Sequence, residues 1–456
     1  MKYIQLSFLP FLTAASLGAQ TPSSAVKTGI PLRQLATPAA TSTEALGSLA
    51  AVRQLPNGNV LVNDQARRRV LLMDSTLTVI GTVADSTSGT ANAYGVRPGG
   101  LMAYHGDSTL FIDPASLSML VIDGAGKVVR VMAAPRPNDV QFLIGGPFGN
   151  PGFDAKGRLV YRSFFRPNFG RGVPGAPFTP PEFPDSAALV RFDLATRKLD
   201  TAAFFRIAKQ SVIVTPDERG GMRIRTNINP LPLVDDWAVM SDGTLAIVRG
   251  RDYRVEFISG DGVRTTADKI PYDWQRLSDV DKVAFMDSTK ASMDRQRATR
   301  GTGDNAGVGG GAAPFGGGGG GGGGRQVITM RVDDGPGVGG TPPRRGGNQA
   351  QVTVGGPPAD GAAPPLTFVS PSELPDYKPV FGIGAVRADM DNRLWVRTIP
   401  TKPSPSGASY DVVDRSGKLI DRVQVPANST IVGFGKGGVV YLGMRDTTGI
   451  HLVRAK

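Results

Sequence analysis

The amino-acid sequence predicts an all-β fold, a six-bladed β-propeller with a short helix and a long disordered Gly/Pro-rich insertion between blades 4 and 5. Three observations predict it. Six stretches share one form: an apolar strand, a turn, a second apolar strand, a loop, and a third strand ending near an Asp. The first-hairpin tips, taken as Gly58, Ser108, Gly157, Gly243, Asn392 and Gly437, are followed two residues on by Val60, Leu110, Leu159, Leu245, Leu394 and Val439. Four residues on stand Val62, Ile112, Tyr161, Ile247, Val396 and Tyr441, so a period-2 apolar face recurs at one place in every unit. The third observation is spacing. Successive tips are 50, 49, 86, 149 and 45 residues apart, and the short spacings have the period of propeller blades. A lone small sheet cannot bury both faces, so such units must stack in a ring.

The elements follow in order. Residues 1–19, MKYIQLSFLPFLTAASLGA, carry an early lysine, a short apolar stretch and small residues before Ala19, the pattern of a secretory signal peptide. Pro10 and the short length argue against a membrane span, which needs about 20 apolar residues. The mature protein is therefore expected outside the cytoplasm, periplasmic or extracellular. Residues 20–45 form an N-terminal segment, and Gly29–Leu35 is expected to close the ring by pairing with the last blade, which lacks chain for a fourth strand. Residues 46–273 hold blades 1–4 and 367–456 hold blades 5 and 6. Between them, 274–298 is a helical insertion: Ser278 and Asp281 resemble a capping box, predicting a helix from Asp279 to Arg297. The tract 299–366 has 24 Gly and 8 Pro in 68 residues, nine of the glycines consecutive from Gly316. It has too little apolar surface to offset its ordering entropy.

Composition narrows the chemistry. The 456 residues include 51 Lys and Arg against 39 Asp and Glu, a net charge of +12, with no Cys and two His. Disulfides, thiolate metal sites and a cysteine nucleophile are excluded. His105 and His451 cannot make a three-histidine metal site, and no G-x-S-x-G elbow is present. Base-stacking aromatics are not interleaved with the basic residues, so nucleic acid is not predicted as a partner. An acidic protein, an acidic glycan or a small anionic ligand suits a positive exported protein better.

Five residues past each tip the second strand ends at one rim, at Asn63, Asp113, Arg162, Val248, Arg397 and Leu442, with Asp64 and Arg249 one step on. If these ends share a mouth, Arg162, Arg249 and Arg397 with Asn63 make a positive funnel for a carboxylate, phosphate or sulfate. The plainer reading has each arginine pair with Asp64, Asp113 or Asp236 of a neighbouring blade and merely tie blades together. Asp64 and Asp113 have oxygens suited to a divalent cation such as calcium, but calcium takes six to eight and the arginines repel it. No cofactor is predicted.

The stretches LPNGNVLVND with RRRVLLMD, MSDGTLAIVRGRDYRVEFISGDG, RADMDNRLWVR and YDVVDRSGKLIDRV resemble the six-bladed propellers of the NHL-repeat and TolB-like kind, especially secreted bacterial members. The resemblance spans nearly all of Leu46–Lys456 outside the insert and implies fold rather than chemistry. Amidating lyases of this fold use histidines around zinc, which two His cannot reproduce. Gluconolactonase-type lactonases place a metal-binding Glu in an early LGEG-like motif, where this chain has Leu46-Gly47-Ser48-Leu49. The expectation is a non-catalytic binding module; the alternative is a metal-assisted hydrolase or lyase at the channel mouth.

Overall fold

A computed structural model describes residues 29–456 except 91, 166–182, 217–221, 301–326, 332–350, 356–366 and 401–405. The expected signal peptide lies outside the described residues, as does the 299–366 tract apart from the helix end and two strands.

Six sheets form a six-bladed propeller. Blade 1 comprises Leu49–Gln54, Val60–Asp64, Arg69–Met73 and Val79–Ala84; blade 2 comprises Gly100–Ala103, Thr109–Asp113, Ser118–Ile122 and Val128–Ala133. Blade 3 runs Gly152–Phe153, Leu159–Arg162, Ser186–Phe192 and Leu199–Arg206, and blade 4 runs Asp236–Val239, Leu245–Arg249, Arg254–Ile258 and Arg264–Thr266. Blade 5 holds Phe381–Ala388, Leu394–Thr398, Ser409–Val413 and Leu419–Gln424; blade 6 holds Ser429–Phe434, Val440–Arg445 and Ile450–Ala455. Neighbours among these strands are antiparallel within each blade, and the first strand is innermost.

The apolar core is divided among the blade interfaces. Leu61, Phe111 and Leu120 pack blade 1 on blade 2, and Leu110, Ile112 and Tyr161 pack blade 2 on blade 3. Val160, Trp237 and Ile247 join blades 3 and 4, and Val248, Val386 and Val396 join blades 4 and 5. Trp395 and Leu442 join blades 5 and 6, and Val62 with Tyr441 closes the ring. Each second strand is buried on both faces, so neither face can be given up without opening an interface. The Asp residues that end third strands cap the outer hairpins. Asp74 Oδ1 accepts from Thr76 and Thr78 N, and Asp123 and Asp414 do the same in their blades.

Ring closure differs from the sequence expectation. Ala40–Thr41, not Gly29–Leu35, supplies the fourth strand of blade 6, pairing Ala40 with Arg454 and Thr41 with Val453. Leu32–Gln34 instead lies parallel to Leu419–Gln424 as a fifth strand of blade 5. Connection length is the reason: the closing strand must lead into Leu49 of blade 1. The segment just upstream makes the shorter connection, and the earlier one covers the next open edge.

Two hairpins are also one residue out of the predicted register. Leu55 N donates to Asn59 O in blade 1, matched by Asp154 to Arg158, Met240 to Thr244 and Asp389 to Arg393. The equivalent bonds are Tyr104 to Ser108 in blade 2 and Gly435 to Val439 in blade 6, so Thr109 and Val440 stand where Val60 stands. Blade 2 bends at Gly106 (φ 60°), and blade 6 has two left-handed glycines, Gly437 and Gly438 (φ 68° and 78°), which displaces the apparent tip. A one-residue slip exchanges the two faces of a strand. Asp113 is thus the counterpart of Asp64, and Gly443 rather than Leu442 that of Asn63.

The helix runs Asp279–Arg300, with Ser278 N donating to Asp281 Oδ2 and Asp281 N to Ser278 Oγ. It packs through Met286 beside Leu231, Leu277, Val369 and Leu374. A further four-stranded sheet, absent from the sequence expectation, pairs Ser211–Pro216, Met222–Asn227, Val327–Arg331 and Gln351–Gly355 with one another, so the glycine-rich tract contributes two strands outside the six blades. Among the described residues no helix is long and apolar enough to cross a membrane.

Candidate functional site

The rim positions now in register are Asn63, Ile112, Arg162, Val248, Arg397 and Gly443. Their parity places them on the sheet face that packs against the next blade, not on the channel axis. Arg162 and Arg397 therefore face different blade interfaces, Arg249 one residue on has the opposite parity, and each has its own surroundings. Arg249 is neutralised within blade 4: Nη1 meets Asp235 Oδ2 at 2.7 Å and Nη2 meets Glu256 Oε2 at 2.6 Å. Asn63 is buried and spent, donating to Gly99 O at 2.8 Å and accepting from Tyr94 Oη at 3.0 Å.

The carboxylates are engaged too. Asp64 Oδ1 accepts from Gly47 N (3.1 Å) and Ser48 N (3.0 Å), and Oδ2 meets Arg69 Nε at 3.2 Å. Asp113 accepts from Ala115 N (3.0 Å) and Ser116 Oγ (2.6 Å). Their oxygens face amide and hydroxyl donors, and among the described residues no three His, Asp or Glu side chains gather as a cation would need. This donor set does not fit a divalent ion.

The channel is crossed by the blade 2–3 connection, with short 3₁₀ turns at Pro137–Leu143 and Gly146–Phe148. Glycines let it approach three inner strands. A Cβ on Gly100 of blade 2 would lie 2.5 Å from Ile144 Cα, and one on Gly149 would lie 2.3 Å from Trp237 Nε1 of blade 4. Asn150 Nδ2 donates to Val386 O of blade 5 at 2.5 Å. Asp139 fixes the other end, accepting from Arg136 Nε (2.6 Å), Tyr161 Oη (3.0 Å) and Phe164 N (3.0 Å). Burial and the adjacent Asp139 charge push the Tyr161 phenol above its ordinary range. The signal for this crossing was the GGPFGNPG run, but nothing local tells a channel crossing from a surface loop.

Beside Tyr161, Arg162 points into a box of phenylalanines. Its Cζ lies 5.3 Å from the Phe142 ring centroid, 5.7 Å from Phe148 and 5.9 Å from Phe205. Its Nε is sealed from solvent with no hydrogen-bond partner among the described residues, and no carboxylate there pairs with it. Burial alone lowers its pKa, with no neighbouring charge to offset it. Asp139, which accepts from Tyr161 next to it, is committed to Arg136. Ring faces return about 0.5–2 kcal/mol each to a cation. They provide no lone pair for the N–H fork, and an unmade buried hydrogen bond costs about 1–3 kcal/mol. The site is therefore short of one acceptor.

A second set joins blades 4 and 5; the sequence singles out its Asp236 and Arg397 but not Arg387. Asp236, buried on the inner strand of blade 4, accepts from Trp237 N at 2.9 Å and from Val386 N of blade 5 at 2.8 Å. Burial pushes its carboxyl up to about 7, partly offset by those backbone donors and by the Arg387 charge. Arg387 neighbours Arg397 on one sheet face, and neither guanidinium has a hydrogen bond or ion pair among the described residues.

No family model and no curated protein matches this chain. Among solved structures it is similar to a gluconolactonase from Xanthomonas campestris, at 12% identity over 96% of this chain and 98% of that one, TM-score 0.33. It is similar to a calcium-binding regucalcin from Agrobacterium tumefaciens at 11% identity over 93% and 97%, TM-score 0.34. A streptogramin B lyase matches at 9% identity over 91% and 96%, TM-score 0.32. Similarity of this degree bears on neither ligand nor reaction.

Proposed function

We propose that this chain is an exported propeller of the NHL-repeat or TolB-like kind that binds an anionic ligand without transforming it, with Arg162 as the recognising cation. One observation supports this most: Arg162 is half-buried among aromatic rings with an orphaned Nε and no carboxylate among the described residues, whereas Arg249 is doubly paired. An anion would supply the missing acceptor to a planar fork of donors. Calorimetric titration of carboxylates and sulfate tests the reading. Arg162→Met should weaken binding at least about tenfold, about 1.4 kcal/mol. Arg249→Ala should leave it unchanged; equal affinity in wild type and Arg162→Met overturns the assignment. For export, N-terminal sequencing of the secreted chain should start at Gln20, and an uncleaved cytoplasmic product speaks against it.

A hydrolase or lyase at the mouth is the second reading, and the near-neutral carboxyl of Asp236 favours it, since general acids and bases work best near ambient pH. A divalent cation in such an enzyme would need ligands other than Asp64 and Asp113. A turnover assay with model esters decides: hydrolysis by the wild type that is lost on Asp236→Asn would move the assignment from binding to catalysis.

A further inference from the structure

Resting on the Arg162 reading, we infer that the ligand is an aromatic monocarboxylate, a flat ring bearing one carboxylate. Among the described residues the charged group of the box is one guanidinium, and its in-plane N–H groups can be met two at a time by a bidentate oxoanion such as a carboxylate. The described groups that flank it are the rings of Phe142, Phe148 and Phe205. Phe142 meets Phe148 edge to face at 4.9 Å between centroids and meets Phe164 at 6.2 Å, so a row of rings leads from the buried Arg162 to Phe164, which is 37% exposed. These separations lie in the range aromatic pairs prefer, and a ligand ring entering along the row would extend it. Arg136, the cation tied to the same connection through Asp139, is already held by that carboxylate and is not free to meet a second negative charge. Phosphate and sulfate, with charge on every side and no ring, fit the chemistry less well than a benzoate-like acid.

The test uses the full chain and three probes of one binding experiment: benzoate, cyclohexanecarboxylate and sulfate. Benzoate and cyclohexanecarboxylate match in size and charge and differ in aromaticity. Benzoate should bind about fivefold tighter than cyclohexanecarboxylate, and sulfate more weakly than either. Arg162→Met should abolish benzoate binding while the protein still melts cooperatively, and Arg162→Lys should weaken it by keeping the charge without the fork. Phe148→Leu, which leaves the charge in place, should bring the benzoate to cyclohexanecarboxylate ratio toward one. Equal, Arg162-dependent binding of the two acids overturns the aromatic assignment and leaves the anion reading standing, as does tighter binding of sulfate. No Arg162-dependent binding of any probe overturns both.

Discussion

At the scale of single residues, the molecule separates charges that are used up from charges that are not. Arg249 belongs to the first kind. Its removal leaves Asp235 and Glu256 facing each other without a cation, so Arg249→Ala should lower stability by about 1–3 kcal/mol in urea titration, discounted for its partial exposure. Asp64 is similar. Asp64→Ala strands the Gly47 and Ser48 amides and should cost about 2–4 kcal/mol with no change in bound metal. Asp236 has the opposite sign. Its folded-state carboxyl is raised to about 7 by burial, so between roughly pH 4 and 7 the folded chain holds a proton that the unfolded chain releases. Its contribution is fully present below pH 4 and is lost as pH rises through about 7. Melting midpoints should therefore fall over that window more steeply in wild type than in Asp236→Asn; parallel curves would refute this. None of these commitments was legible in the sequence, because the partners of Arg249 and Asp64, and Val386 N on Asp236, come from separate strands or turns.

At the scale of elements, the hairpins were the most legible part. The alternation of Val60 and Val62 or Leu394 and Val396 is local, and a period of two needs no tertiary information to be recognised. Where turn glycines were ambiguous, at Gly106 and at Gly437 with Gly438, the alternation alone did not fix the face. Asp113 was accordingly grouped with Asn63 rather than Asp64. The closing strand was misplaced for a similar reason: Gly29–Leu35 and Ala40–Thr41 are both short, and only the connection to Leu49 distinguishes them. Removing residues up to 42 should lower the melting midpoint far more than removing residues up to 36. Only the longer cut takes Ser42, whose N donates to Leu452 O at 2.8 Å and whose O meets His451 Nδ1 at 2.9 Å. Equal losses from the two truncations would show that the parallel strand Leu32–Gln34 carries the closure.

At the scale of the whole molecule, stability resides in the blade interfaces, and none of the residues in those six clusters comes from 299–366. Deleting 301–366 should leave the main unfolding transition in calorimetry within a few degrees of wild type; a large drop would make the tract part of the ring's support. The sequence by itself determined the blade count, the strand order, the absence of thiol chemistry and the positive charge, since these follow from composition and from alternation along single strands. The tertiary structure alone decided that Arg162 combines a buried, unanswered Nε with no carboxylate partner among the described residues, whereas Arg191 and Arg254 lie against Asp154 and Asp252. A side chain's electrostatic partners come from strands far apart in the chain, and a strand's parity, set by one turn residue, chooses the interface in which those partners are met.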